Sequence, residues 1–196
     1  MRSLEEIEQD ALSRNIPVMQ KEGILFLIDQ LNKIHAKNVL EIGSAVGYSA
    51  MMMVTHVENL HVDTIELNDE RHYEAVQNIK EHNLASYITL FHDDALTFDT
   101  TYLKENYDCL FIDAAKAQYQ KFFEKYVPFV KEDGIIIVDN LDFHGMIFDI
   151  DHIKNRNTRQ LVRKIKRFKD WIFNHEAYDV EYHQVGDGIC VIRRKK

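Results

Sequence analysis

Two short apolar runs end abruptly in carboxylates: Leu110-Phe111-Ile112-Asp113 and Ile135-Ile136-Ile137-Val138-Asp139-Asn140. Runs of this kind, separated by helix-like segments, read as buried parallel strands. In an open α/β sheet, ligands sit beyond the carboxyl ends of the strands, which is where Asp113, Asp139 and Asn140 would emerge. Two carboxylates and an amide carbonyl make an all-oxygen donor set, suited to Mg²⁺ or Ca²⁺ and poorly suited to zinc. Taken alone, Asp113 reads as a helix N-cap. Asp139-Asn140 at the next strand end turns the pair into a candidate metal site. Lys116, three residues past Asp113, reads alone as an exposed surface lysine. Beside a cation that depresses its pKa, it becomes a candidate general base.

A second constellation lies upstream, in Glu41-Ile42-Gly43-Ser44-Ala45-Val46-Gly47-Tyr48-Ser49. Gly43 lets the chain turn tightly off a strand, and Gly47 lets the following helix approach closely. Amides at that helix N-terminus would face a ligand. Glu66, at the end of the next strand, can accept hydrogen bonds from both hydroxyls of a ribose. The glycine pattern by itself also admits a nicotinamide cofactor or a purely structural turn, although Ala45 stands where a G-x-G-x-x-G turn has glycine. Glu41 tips the balance. An acid here would repel a pyrophosphate but suits the ammonium of an amino-acid-bearing cofactor, a requirement that S-adenosylmethionine (SAM) meets.

The elements that position these residues follow from periodicity. Helices are expected over 3–14, 20–34, 51–57, 69–83, 95–104, 116–130 and 156–175, and strands over 39–42, 61–67, 87–91, 110–112 and 134–138. The stripe Tyr119, Phe122, Phe123 and Tyr126 on one of these helices reads as core. Residues 141–155 show no clear pattern. Segments 178–185 and 189–193 flank Gly186-Asp187-Gly188, a hairpin signal. Five βα repeats closed by a hairpin give an α/β fold with a mostly parallel sheet. One domain over 1–196 is expected, with N-terminal helices at 1–35, a cofactor and metal half at 36–140, and the basic helix and hairpin at 141–196.

The 196 residues, 45% apolar with seven Gly and two Pro, suit one ordered domain. Cys109 and Cys190 lie in apolar runs and read as buried free thiols. No run approaches transmembrane length and the first residues lack a signal-peptide core, so a cytoplasmic protein without membrane contact is expected. The net charge of −8 conceals a segregation: between Lys154 and Lys169 stand eight Lys or Arg and no acid. On a helical wheel Leu161, Ile165, Phe168 and Ile172 share one face, with Arg156, Arg159, Arg163, Lys166 and Arg167 opposite. Such a stripe is either a solvated face or a surface for RNA phosphates.

Together, Glu41-Ile-Gly43-Ser44-x-x-Gly47-Tyr48-Ser49, Glu66, Phe111-Ile-Asp113-x-x-Lys116-x-x-Tyr119, Val138-Asp139-Asn140 and Val185-Gly186-Asp187-Gly188 resemble the cation-dependent, SAM-dependent O-methyltransferases of the catechol and caffeoyl-CoA type (family 3). The resemblance runs from about Pro17 to Arg193. It implies a Rossmann-like class I methyltransferase fold, with seven strands, a C-terminal antiparallel hairpin and helices on both faces. It implies SAM as cofactor, with Mg²⁺ or Mn²⁺ on Asp113, Asp139 and Asn140 and with Lys116 as general base. Glu41, Gly43, Ser44, Gly47, Tyr48 and Ser49 would hold the methionine end of SAM, Glu66 the ribose, and Asp94-Ala95 the adenine, with Asp113 touching both metal and cofactor surroundings. Asp93 departs from the pattern, where relatives usually have Gly. A homodimer is implied on the same basis. The likeness runs most to bacterial tRNA 5-hydroxyuridine methyltransferases, so the expected reaction makes 5-methoxyuridine at the wobble position of tRNA. The alternatives are a methyltransferase for small catechol-like phenols and a nucleotide-binding protein without methyltransferase activity.

Overall fold

Alternation along the central strands decides the architecture. In β1 (Asn38–Ile42), β4 (Tyr107–Ile112) and the second half of β5 (Val130–Val138), neighbouring side chains point to opposite faces and nearly all are buried. Val39, Phe111 and Ile137 join one apolar cluster, whereas Leu40, Ile112 and Val138 join another. A sheet with two apolar faces needs cover on both. The computed structural model, which describes residues 2–196, supplies it. The first face carries α1 (Leu4–Ser13), α2 (Lys21–Lys33), α3 (Tyr48–His56) and α4 (Asp69–Glu81). The second face carries α5 (Tyr119–Tyr126) and α6 (Arg156–Phe173).

With β2 (His61–Glu66), β3 (Ile88–His92), β6 (Tyr178–His183) and β7 (Ile189–Arg194), the sheet has the order β3-β2-β1-β4-β5-β7-β6. Strands β1 to β5 pair in parallel, and the terminal hairpin pairs antiparallel. The seven-stranded, mostly parallel expectation holds. From β1 the chain winds outward to β2 and β3, then returns to β4 and winds the other way. The reversal opens a crevice between the carboxyl ends of β1 and β4, the usual ligand position in such sheets. Gly43 follows β1 there and Asp113 follows β4. Both cysteines are buried and free. Among the described residues, no helix is long and apolar enough to cross a membrane.

Three local expectations give way. The helix expected over 95–104 shrinks to one 3₁₀ turn, Thr100–Tyr102. There the Asp94 and Asp99 side chains take the amides of Leu96 (2.8 Å) and Thr101 (3.0 Å), competing with helical bonding. The helix expected over 116–130 is α5 between two 3₁₀ turns, the second holding Pro128, and Val130 already belongs to β5. On α6 the buried residues are Val162, Ile165, Phe168 and Ile172. Leu161 is half-buried and packs at the edge of the same cluster, so the apolar face is wider than the one expected.

Candidate active site

The turn after β1 is built from what glycine permits. Gly43 has φ +93°, and a β-carbon on it would lie 2.4 Å from the Asp113 carbonyl oxygen. Gly47 (φ +82°) caps α3 and lets it close onto Ala75 of α4, where an added β-carbon would sit 3.3 Å from the alanine methyl. Glu41 lies behind this turn, fully buried. Its carboxyl accepts from the hydroxyls of Ser49 and Thr64, each at 2.5 Å. Burial pushes Glu41 up to about 7 against the pull of those donors, and the charges of Asp113 and Glu66 add to the rise. Tyr48 is buried too, and burial, reinforced by Glu8, pushes it up to about 12. The Ser44 hydroxyl is buried without a hydrogen-bond partner, as expected of a group whose partner arrives with a ligand.

In front of the turn lies a cleft of about 1100 Å³, lined among others by Gly43, Glu66, Asp94, Ala95, Asp113 and Lys116. Glu66 accepts from the backbone amides of Ala45 (2.8 Å) and Asn68 (2.9 Å), one on each oxygen. Each oxygen retains a further lone pair, so the carboxylate is oriented and still able to accept two hydroxyls of a ribose. Beyond Glu66 the chain turns through Asp93 and Asp94. Asp93 donates its amide to the Glu66 carbonyl at 3.1 Å, and its carboxylate accepts from Asp94 N at 2.7 Å. Lys125 and Tyr126 of α5 hold this turn from beneath. Lys125 Nζ donates to the carbonyls of Ala95, Leu96 and Phe98 at 2.8–3.0 Å. The Tyr126 hydroxyl donates to Ala95 O at 2.5 Å.

The far end of the cleft is acidic. Asp139 is 2% exposed, and Asp113 is half-buried. Burial raises both carboxyls. Asp113 drives Asp139 further, up to about 8, while Lys116 opposes the rise in Asp113 and Asp187 adds to it. The Asn140 amide donates to Asp139 Oδ1 at 2.7 Å, and the Tyr119 hydroxyl donates to the Asp139 carbonyl at 2.8 Å. Asn140 has φ +60°, a left-handed conformation that asparagine tolerates. Its side-chain oxygen accepts from Lys116 Nζ. Among the described residues, no three His, Cys, Asp or Glu side chains converge as metal ligands. The donors here are two carboxylates and one amide oxygen. The Asp113 charge raises the buried Asp139 carboxyl, a repulsion that a divalent cation relieves, and the all-oxygen chemistry fits Mg²⁺ or Mn²⁺.

Phe143 and Leu161 give the cleft wall an apolar part. Phe143 belongs to the loop after β5, in which Phe143, His144 and Gly145 all have positive φ. Two buried acids of the loop and hairpin fasten this segment. Asp142 accepts from the Tyr182 hydroxyl and from Lys169 Nζ at 3.3 Å, and Asp187 accepts from His144 N at 2.5 Å. On the outer face of α6, Arg163, Lys164, Lys166 and Arg167 line a shallow groove, where Lys166 also pairs with Asp170 at 2.9 Å. At 100° per residue, Arg156, Arg159, Arg163, Lys166 and Arg167 project about 140–240° away from Leu161.

The O-methyltransferase family model matches residues 1–195, essentially the whole chain. The chain belongs to that family, the O-methyltransferases of family 3. This SAM-dependent O-methyltransferase is 31% identical to the crystal structure of "a putative caffeoyl-CoA O-methyltransferase" from Staphylococcus aureus, covering 100% of this chain and 93% of that one with a TM-score of 0.94. An O-methyltransferase from Bacillus cereus, solved in complex with SAH, is 25% identical over 98% of this chain and 90% of that one, with a TM-score of 0.82. A catechol O-methyltransferase from Niastella koreensis is 27% identical over 175 residues, 87% of this chain and 76% of that protein.

The methyltransferase brings Gly43, Glu66, Asp94, Ala95, Asp113 and Lys116 to one cleft. Asp139 and Asn140 adjoin its acidic end through Lys116 and Asp113. Ser44 and Gly47 are buried within the turn, and Glu41, Tyr48 and Ser49 are buried beside it. Sequence reasoning missed Lys125, whose carbonyl contacts lie about thirty residues upstream. It gave no role to Asp142 or Asp187, although Val185-Gly186-Asp187-Gly188 stands out both as a hairpin turn and as part of the family pattern.

Proposed function

We propose that this methyltransferase moves the methyl group of SAM to one hydroxyl of a small aromatic substrate with two neighbouring oxygens, assisted by Mg²⁺ or Mn²⁺. The observation that carries the reading is the wall of the cleft. Phe143 and Leu161 give it apolar surface suited to a planar ring, close to Asp113 and Lys116. The names of relatives agree with it, since they include a catechol O-methyltransferase and caffeoyl-CoA O-methyltransferases.

In this reading Glu66 holds the ribose hydroxyls of SAM, and the turn of Asp94 and Ala95 shapes the adenine end. Ser44 Oγ and the amides at the start of α3 serve the methionine end. Glu41 keeps that turn in place through Ser49 and Thr64. Asp113, Asp139 and Asn140 would hold the cation, whose charge would lower the pKa of a substrate hydroxyl beside it. Lys116 Nζ, steadied by Asn140, receives the proton of the attacking hydroxyl. Phe143 and Leu161 keep water from the ring and orient it, so that the oxygen meets the methyl group in line.

A 5-hydroxyuridine in tRNA, with its 5-hydroxyl beside the 4-carbonyl, offers the same pair of oxygens and is the second reading. The basic groove on α6 favours it, whereas the direction of that groove, away from Leu161, favours the small substrate. The deciding experiment is transfer from labelled SAM, with and without EDTA, to catechol and to tRNA carrying 5-hydroxyuridine. EDTA-sensitive labelling of catechol with inert tRNA is the expected result. Rapid labelling of tRNA with slow catechol turnover would move the enzyme to RNA, and labelling of neither would refute both readings.

A further inference from the structure

The turn between β6 and β7 carries a buried carboxylate that the mechanism above leaves unused. Asp187 is 6% exposed. Its backbone carbonyl accepts from Asp142 N, and that of Gly188 from Leu141 N, both at 2.9 Å. A β-carbon on Gly188 would come within 2.6 Å of the Asp142 carboxyl carbon, so the turn is seated directly against the chain that follows Asp139 and Asn140. Asp187 Oδ1 accepts from His144 N at 2.5 Å. Oδ2 is buried and has no hydrogen-bond partner. The His144 imidazole is 65% exposed, with Nδ1 3.8 Å from Oδ2, beyond hydrogen-bond reach. A carboxylate oxygen buried without a donor is unfavourable, and such an orphan calls for a donor that arrives with a ligand. The backbone pairing of Gly188 with Leu141, next to Asn140, sets Asp187 near the acidic end of the cleft, and its charge adds to the rise in the carboxyls of Asp113 and Asp139. The three acids do not converge on one coordination point, so Asp187 is not a direct ligand.

We propose that Asp187 is a positioning residue for the divalent cation: its free Oδ2 accepts a hydrogen bond from a water of the cation's hydration shell. Mg²⁺ sheds its waters reluctantly and usually keeps several, so a carboxylate just outside the ligand set has a donor to receive. This inference rests on the cation reading of Asp113, Asp139 and Asn140. The same carboxylate then does two things: Oδ1 fixes the loop through His144, and Oδ2 serves the cation.

Mn²⁺ binding followed by electron paramagnetic resonance, at saturating SAH, tests this without turnover. Asp187→Asn preserves an acceptor for the His144 amide and removes the charge. Mn²⁺ affinity is expected to fall by about 10–100-fold, with SAH affinity and the melting temperature in EDTA unchanged. His144→Ala, which keeps its backbone amide, is expected to bind Mn²⁺ as the wild type does. Wild-type Mn²⁺ affinity in Asp187→Asn overturns the proposal, as does an equal loss in His144→Ala, which would assign the effect to the loop. Asp187→Ser, which retains a hydroxyl oxygen, is the second variant should the first fail to fold, and the same two outcomes decide it. Absence of Mn²⁺ binding by the wild-type protein would refute the cation reading as well. Normal wild-type binding with an unaffected variant refutes this inference alone.

Discussion

Gly43 and Asp113 meet at the sheet's reversal point, so closely that a β-carbon on Gly43 would stand 2.4 Å from the Asp113 carbonyl oxygen. The turn after β1 and the end of β4 therefore form one object, and the cofactor side of the cleft cannot shift without moving the acidic side. Gly43→Ala adds both this collision and an alanine at φ +93°. The expected outcome is a destabilisation on the order of 2–4 kcal/mol. SAH affinity, read by calorimetry on whatever fraction folds, should be lost. An alanine variant with wild-type melting temperature and SAH affinity would show that the two strand ends move independently.

Glu41 should make the ligand-free protein sensitive to pH. Its carboxyl is raised by burial from 4.5 to about 7, so between those values the folded protein binds more protons than the unfolded chain. The stabilisation is fully present below about pH 4.5 and is lost as pH rises through about 7, worth on the order of 1–3 kcal/mol. Glu41→Gln keeps a hydrogen-bonding group of the same shape without the ionisation. Chemical denaturation at a series of pH values is expected to give a flatter profile for the variant across that interval. Superimposable profiles would mean that Glu41 does not titrate there.

Lys125 supports the adenine end of the cleft from below, through three carbonyls of the turn at residues 95–98. Lys125→Met keeps the aliphatic stem and leaves those carbonyls to water or to nothing. The loss of charge-assisted bonds is worth roughly 1–3 kcal/mol. It is expected mainly as a rise of about tenfold in KM for SAM, at nearly constant kcat. A variant with unchanged KM for SAM and reduced kcat would place Lys125 in a different role.

What could be read in advance follows from the range of the forces involved. The central parallel strands were legible because β4 and β5 contain apolar runs that must be buried, and the flanking β2 and β3 because they carry β-branched and aromatic residues between helix-like segments. Asp113, Asp139 and Asn140 stood out because polar groups end those runs abruptly. The helix expected over 95–104 failed because Asp94 and Asp99 divert backbone amides into local turns, a competition that apolar periodicity does not register. On α6 the expected Ile165, Phe168 and Ile172 are buried and Leu161 packs half-buried at the edge of that face, while Val162, 100° further round, also enters the core, a widening of the face that periodicity alone does not show. The partnership of Asp142 with the turn at Asp187 arises only when β7 pairs antiparallel with β5. Nothing in either local sequence announces it.

The basic face of α6 offers the sharpest separation between the two substrate readings. Arg163, Lys166 and Arg167 are exposed. At 100° per residue these three point about 140–240° from Leu161, whose side chain lines the cleft. A small phenol bound beside Phe143 and Leu161 would not touch them. With all three changed to Glu, kcat/KM for catechol is therefore expected to stay within about twofold of wild type, because exposed charges more than about 10 Å away are largely screened at 0.1 M salt. RNA would behave differently, since each lost phosphate contact reduces the slope of log affinity against log salt by about 0.7–0.9. Nonspecific RNA binding should therefore weaken and lose salt dependence in the variant while catechol methylation continues. A parallel collapse of catechol turnover would mean that the stripe reaches the cleft. Loss of an efficient tRNA methylation, with catechol a poor substrate throughout, would make the stripe part of the substrate site and reverse the order of the two readings.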